Sequence, residues 1–286
     1  MRNDFAAFIL THGRADRVET YKALVRSGYT GRIYIVIDDE DEQGDEYRRT
    51  YGDRVLVFSK DEVAERFDEG DNFRDRRVVA YARNACFDLA RSVGARYFVE
   101  LDDDYGWFGY RQGPNLEYGG WTIQNIDGIF EAFVRFLETT PALTIAFSQG
   151  GDHIGGGNTP IRLKRKAMNS FFCDTERPFS FVGRLNEDVN TYVSLGNRGG
   201  LFFTYMTIQL NQTATQTNEG GMTGIYLDCG TYTKSFYSVM FSPSSVRIRD
   251  MGRGDRRLHH HINWRATVPK ILREEFRKGS PGRERP

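Results

Sequence analysis

Residues 96–105 read Arg-Tyr-Phe-Val-Glu-Leu-Asp-Asp-Asp-Tyr, an apolar run that passes without a break into three aspartates. A short apolar run of this length is the pattern of a buried strand. In an open α/β sheet, ligands bind beyond the C-terminal ends of the strands. Alternate residues of an extended segment point the same way, so Asp102 and Asp104 are expected to converge on one point. Two like charges held together destabilise each other unless a cation lies between them. Ligands that are all oxygen favour a hard divalent ion, Mg²⁺ or Mn²⁺. The plain alternative is an acidic surface turn that follows a strand.

The elements around this stretch give the fold class. Phe5 to Leu10, Arg32 to Ile37, Arg54 to Phe58 and Leu143 to Phe147 are further strand-like runs. Between them the spacing of Val18, Tyr21, Leu24 and Val25 predicts a helix. A second helix is expected from about Asn72, with Val78, Ala82, Ala85, Cys86, Leu89 and Val93 on one face and Gly94 closing it. A third carries Ile126, Ile129, Phe130, Phe133, Val134 and Leu137. Strands alternating with helices argue for an α/β protein, a mostly parallel central sheet flanked by helices. The second half is irregular and rich in Gly, Thr, Asn and aromatics, with Gly150 to Asn158 and Asn211 to Gly224 expected as loops. It is read as an acceptor-side region built onto the sheet. One domain is expected over 1–265, with 1–110 and 111–265 as its two halves and a basic tail at 266–286.

Composition bounds the class of protein. The 286 residues are 39% hydrophobic and 27% charged, which is globular composition and excludes a mostly disordered chain. No window approaches the ~18 apolar residues of a membrane span. The start, MRNDFAAFIL, is too short and too polar for a signal peptide. Three widely spaced cysteines fit neither a disulfide framework nor a cysteine-based zinc site. A reduced, cytoplasmic setting is therefore expected. Thirty-nine basic residues balance thirty-nine acidic ones, but unevenly. Residues 38–46, DDEDEQGDE, are expected as a solvated loop. From Val246 onward twelve Lys/Arg face five Asp/Glu, and a basic surface meeting a polyanion is one reading of that surplus.

Two further clusters carry chemistry. At Asn186-Glu187-Asp188, Asn186 is a fair N-cap for a helix, and either Glu187 or Asp188 is a candidate general base or acceptor-binding carboxylate. At His259-His260-His261 the outer two share a face if the segment is extended, and one imidazole is a candidate for completing a metal shell.

Taken in order, Ile9-Leu10-Thr11-His12-Gly13-Arg14, Ile37-Asp38-Asp39, Ala82-Arg83-Asn84, Leu101 to Asp104, Asn186-Glu187-Asp188 and a late histidine resemble the GT-A glycosyltransferases over roughly residues 5 to 265. The resemblance implies a UDP-sugar donor, UDP-glucose or UDP-GlcNAc. Thr11, His12 and Arg14 in the first strand-loop, with Asp38 or Asp39, would hold its nucleoside, and Arg83 would lie near its diphosphate. Asp102 and Asp104, with Asp103 between them, would match the metal–diphosphate DxD motif. Glu187-Asp188 would match the acceptor-side acidic pair, and His259 or His261 the C-terminal metal ligand. A narrower resemblance rests on residues 186–192, on Thr213 to Gly221 (TATQTNEGG) and on His260 to Trp264 with Val268-Pro269-Lys270. These are similar to the TET/JBP-associated glycosyltransferases of bacteriophages, which implies that 5-hydroxymethylcytosine in double-stranded DNA is the acceptor, in the host cytoplasm. A hydroxyl on a glycan, protein or small molecule is the alternative.

That chemistry has a physical logic. Breaking the bond from C1 to a phosphate oxygen builds charge that a cation stabilises. An inverting enzyme needs a carboxylate to take the acceptor's proton, with Asp188 the first choice and Glu187 the second. A pyrimidine C5 substituent projects into the major groove. Arg247, Arg249, Arg253, Arg256 and Arg257 are candidates for phosphate contacts. Trp107, Phe108 and Tyr110 are candidates for stacking on a base or sugar, or for packing. Arg162, Lys164, Arg165 and Lys166 form a second basic cluster, or the solvated start of a helix.

Overall fold

The computed structural model describes residues 1–73, 75–153, 162–212, 222–230, 232–251 and 257–269. Its first half runs β1 (Phe5–Leu10), α1 (Glu19–Arg26), β2 (Arg32–Asp38), α2 (Gly44–Tyr51), β3 (Val55–Phe58), α3 (Lys60–Ala64), α4 (Ala80–Ser92) and β4 (Tyr97–Asp102). There follow β5 (Tyr105–Gln112), β6 (Glu117–Thr122), α5 (Ile126–Thr139), β7 (Thr144–Ser148), β8 (Leu163–Lys164) and β9 (Ser170–Asp174). The remainder is α6 (Glu187–Gly196), β10 (Phe202–Gln212), α7 (Met222–Cys229), α8 (Thr233–Phe241), β11 (Val246–Met251) and β12 (Arg257–Ile262).

Ten strands form one sheet in the order β3-β2-β1-β4-β9-β7-β10-β5-β6, with β8 beside β10. β3, β2, β1 and β4 are parallel, and antiparallel pairing enters where β9 joins β4. Strands from before and after residue 110 therefore interleave in one sheet. β1 is buried along its whole length, the signature of a strand covered on both faces. Its side chains alternate between two cores. Phe5, Ala7 and Ile9 pack with α1 and α5, whereas Ala6, Phe8 and Leu10 pack with α4 and α6. This is the α/β architecture expected, with helices on both faces of a mixed sheet.

Several local expectations change. The second helix begins at Ala80 rather than near Asn72. Gly94 does close it, at φ +65°. The acidic run is a solvated loop only in part: Asp39, Glu40, Glu42, Asp45 and Glu46 are exposed, but its end forms α2, and Asp38 and Asp41 are buried. The 162–166 cluster is not a helix start: Lys164 ends β8, and Lys166 pairs with Asp152. Met222 to Gly224, expected in a loop, opens α7. Ile154 to Asn158, the Thr213 to Gly221 segment, Arg253, Arg256 and the tail from Lys270 lie outside the described residues. Among the described residues, no helix is long and apolar enough to cross a membrane.

Candidate active site

Strand order reverses beside β1. The chain proceeds from β1 to β2 and β3 on one side, while β4 lies on the other. The crevice beyond the strand ends at such a point is the usual ligand site of an open α/β sheet. Its walls here are Thr11 to Arg14, which follow β1, and Asp102, which ends β4, with Asp103 and Asp104 in the turn after it.

The three aspartates diverge in role. Asp103 turns to the first loop, where it accepts from Thr11 Oγ1 at 2.7 Å and from Arg14 Nη1 at 2.9 Å. Tyr47 supports the same loop: its hydroxyl lies 2.9 Å from Thr11 Oγ1 and accepts from the Arg14 amide at 2.8 Å. Burial still pushes the Asp103 carboxyl above its usual range, against Arg14 and Thr11. Asp104 is pushed up to about 7, first by burial and then by the charges of Asp102 and Asp103. Gln212 Nε2 approaches its Oδ2 at 3.5 Å. Asp102 instead accepts from Arg83 Nη2 at 3.0 Å.

A second network ties the β1 loop to the end of β2. His12 Nδ1 lies 2.7 Å from Asp38 Oδ2, and the Lys60 ammonium lies 2.9 Å from Asp38 Oδ1. Burial works against the Asp38 charge, yet His12 and Lys60 together hold its carboxyl below the usual range. The bond to Asp38 raises the His12 imidazole in turn. The Gly13 amide donates to Asp41 at 2.8 Å. Asp39 is exposed and accepts from the Lys60 amide at 3.0 Å. Asp38, not Asp39, is thus the carboxylate that faces His12.

Arg83 joins the two acidic regions. It is 2% exposed, and Phe171 lies 4.8 Å beneath its guanidinium carbon. Besides Asp102, its Nε donates to Glu187 Oε1 at 3.1 Å, and its Nη1 stands 3.8 Å from Glu100 Oε2. Burial raises the Glu187 carboxyl, as does the adjacent Asp188, while Arg83 pulls the other way. Asp188 is also raised by burial, and its Oδ1 accepts from the Val189 amide at 2.7 Å. Both sit at the N-terminus of α6, where the helix dipole favours negative charge.

Asn186 is not a side-chain cap. It adopts the left-handed conformation at φ +60°, and its side chain reaches elsewhere. Asn190 Nδ2 donates to the carbonyls of Val182 and Leu185, so its Oδ1 is the acceptor for the Ser238 hydroxyl at 2.8 Å. Ser238 Oγ must then accept, and does so from Asn186 Nδ2 at 2.6 Å. The same Asn186 nitrogen faces His260 Nδ1 at 3.2 Å. His260 Nδ1 is therefore an acceptor, and its proton resides on Nε2. Burial, with His259 and the nearby lysines Lys234 and Lys166, pushes this imidazole down to about 3 and keeps it neutral.

The register of β11 with β12 puts His259 opposite Arg249 and His261 opposite Arg247. The His259 and His260 rings lie 4.2 Å apart, His261 is exposed, and it is His260 that turns toward Asn186. Among the described residues, no three His, Cys, Asp or Glu side chains stand close enough to hold a metal together. Of the aromatics after the aspartates, Phe108 is fully buried, while Trp107 stacks on Tyr118 at 4.8 Å. Sequence reading missed Tyr47, Lys60, Glu100, Gln212 and Ser238, none of which stands in a recognisable spacing.

A family model described as TET-associated glycosyltransferase matches residues 5–221. The chain belongs to that family. This glycosyltransferase matches no curated protein. Among solved structures it is similar to glucosyl-3-phosphoglycerate synthase from Mycobacterium tuberculosis. With Mg²⁺ and uridine diphosphate, that enzyme is 11% identical at a TM-score of 0.45, covering 91% of this chain and 88% of that one. With Mn²⁺ and UDP-glucose it is 10% identical at a TM-score of 0.44, covering 91% and 86%.

Proposed function

We propose that this glycosyltransferase moves a sugar from a UDP-sugar, UDP-glucose or UDP-GlcNAc, to 5-hydroxymethylcytosine in double-stranded DNA, with inversion and with the help of Mn²⁺ or Mg²⁺. One observation carries the chemistry: Asp102, at the end of β4, and Glu187, next to Asp188 on α6, share one buried guanidinium. The donor end and the acceptor end of a transfer reaction are thereby adjacent. The family's TET association supports a modified base in DNA as the acceptor, and the exposed Arg247 and Arg249 beside His261 offer a basic face to phosphates.

The residues fit a divalent ion. The Asp104 carboxyl is pushed up to about 7 first by burial and then by the charges of Asp102 and Asp103, and a cation would offset both. Asp102 and Asp104 would hold the ion, and a hard ion of this kind commonly takes its other ligands from phosphate and water. When bound, it supplies charge stabilisation to the departing diphosphate.

The chain's own groups do the rest. Thr11, Arg14, Asp103 and Tyr47 shape the first loop against the nucleotide, and the His12–Asp38–Lys60 network offers it polar contacts. Asp188 accepts the hydroxymethyl proton as the acceptor oxygen bonds to C1. The bond from C1 to the phosphate oxygen breaks, and UDP leaves with the electron pair. Base catalysis of this kind is worth ~10²–10⁴-fold. His260, neutral with its proton on Nε2, is a hydrogen-bond donor rather than a metal ligand in this tautomer.

The test is to incubate the protein with Mn²⁺, a panel of UDP-sugars and DNA containing hydroxymethylcytosine, then digest to nucleosides for mass spectrometry. A hexosylated nucleoside is expected, and Asp104→Ala should abolish both its formation and metal-dependent UDP binding. Transfer only to a glycan, protein or small-molecule hydroxyl would replace the DNA reading. Duplex affinity should fall steeply with salt through counterion release. Absence of duplex binding at low salt would count against DNA as the acceptor.

A further inference from the structure

Arg83, which the family resemblance puts near the donor diphosphate, is 2% exposed and encircled by the protein's own carboxylates. Asp102 takes Nη2 at 3.0 Å, Glu187 takes Nε at 3.1 Å, and Glu100 stands 3.8 Å from Nη1. Phe171 and Phe181 pack on the guanidinium at 4.8 and 5.8 Å. Nη1 makes no hydrogen bond, but it is buried against Glu100 and closed to a ligand. We propose that Arg83 is a positioning residue, a rigid tie that sets the distance between Asp102 on the donor side and the Glu187–Asp188 pair on the acceptor side. It also divides the labour of that pair, because Glu187 is spent on the tie and Asp188 is left to take the proton.

Three observations support the tie. The planar fork of arginine reaches two carboxylates in fixed directions, which a lysine ammonium cannot do. α4 and β4 are consecutive in the chain whereas α6 lies far beyond them, so Arg83 is where the two halves of the site are held in register. Behind it, Glu100 is wholly buried on β4 and stands 3.8 Å from Nη1, closing the rear of the guanidinium.

This inference rests on the glycosyl-transfer reading above, and the experiment separates the two. Turnover, donor KM and UDP affinity in Mn²⁺ are measured for Arg83→Lys, Glu187→Ala, Glu187→Gln and Asp188→Asn, each with its melting temperature. Arg83→Lys and Glu187→Ala should each lose ~10²-fold in kcat, the scale of an ångström misplacement, while UDP affinity stays within about threefold. Glu187→Gln keeps an oxygen for Arg83 Nε and should recover most of that loss, to about tenfold below wild type. Asp188→Asn should fall furthest. If Arg83→Lys loses UDP affinity tenfold or more with kcat preserved, Arg83 is a diphosphate ligand and the tie is wrong. If Glu187→Gln is as inactive as Glu187→Ala, the charge of Glu187 matters rather than its bond to Arg83, and the tie is again overturned. Should Arg83→Lys fail to fold, the Gln-against-Ala comparison at Glu187 still decides. An Asp188→Asn variant with full turnover would instead sink the transfer reading.

Discussion

Asp104→Asn tests the crowding of carboxylates at the end of β4 without any substrate. The Asp104 carboxyl rises from 3.8 to about 7 on folding. Its folded pKa is raised, so the native state holds a proton that the unfolded chain releases. Stability therefore falls as pH rises from about 4 to about 7 and is level above that. Each pH unit in that window is worth ~1.4 kcal/mol for a fully shielded group. Water reaches part of this carboxyl, and halving the figure gives ~0.7 kcal/mol per unit. Between about pH 5 and about pH 7 the wild type should then lose ~1.4 kcal/mol that the Asp104→Asn variant does not lose. For a chain of this size that is a melting-temperature gap widening by ~2–3 °C. The assay is thermal unfolding of both proteins in chelator across that range, repeated with Mn²⁺ and UDP. The added ligands should lift the wild type most at the alkaline end and the variant hardly at all. Parallel melting curves for the two proteins in chelator would refute the argument, since the repulsion would then be absent.

Three further outcomes follow from other parts of the structure. Phe172 packs against Phe5, Phe130, Phe133 and Phe147, so Phe172→Ala should cost ~3–5 kcal/mol in a denaturant titration. Lys60→Met strips the buried Asp38 of its ammonium partner and should destabilise by ~3 kcal/mol, with weaker UDP binding by calorimetry. His260→Ala should leave metal-dependent UDP affinity within about twofold while lowering turnover, because its Nε2–H is a donor and not a metal ligand; a ~100-fold loss of Mn²⁺ dependence would reverse that assignment.

The parallel part of the sheet was legible because β1 and β4 are buried almost throughout, β2 over its second half, and its helices are amphipathic. β1, β2, β4 and α5 begin within a residue of their expected starts. Periodicity misled where hydrogen bonds replace apolar contacts. Val25 shares a spacing with Leu24 yet is 55% exposed, while the polar Thr20 is wholly buried. Thr20 Oγ1 donates to the Asp102 carbonyl at 2.6 Å and accepts from the Tyr105 amide at 2.9 Å, fixing the bend between β4 and β5. The acidic run misled for a related reason: a buried Asp38 or Asp41 is stable only with partners distant in sequence, His12, Lys60 and the Gly13 amide, and a local window contains none of them. Arg83 was found as a residue but not in its surroundings, since the charges that hold it come from β4 and α6.

The balanced net charge, which taken alone points away from a polyanion, loses its force once the acids are located. Asp38, Asp41, Asp102, Asp103, Glu187 and Asp188 are internal or nearly so and bonded to His12, Lys60, Arg14, Arg83 or backbone amides. A carboxylate compensated inside the protein contributes little to the field outside, whereas the exposed Arg247 and Arg249 contribute fully. The same internal compensation keeps the site's acids in place before any donor arrives, so a nucleotide and its cation would enter a crevice whose carboxylates are already oriented.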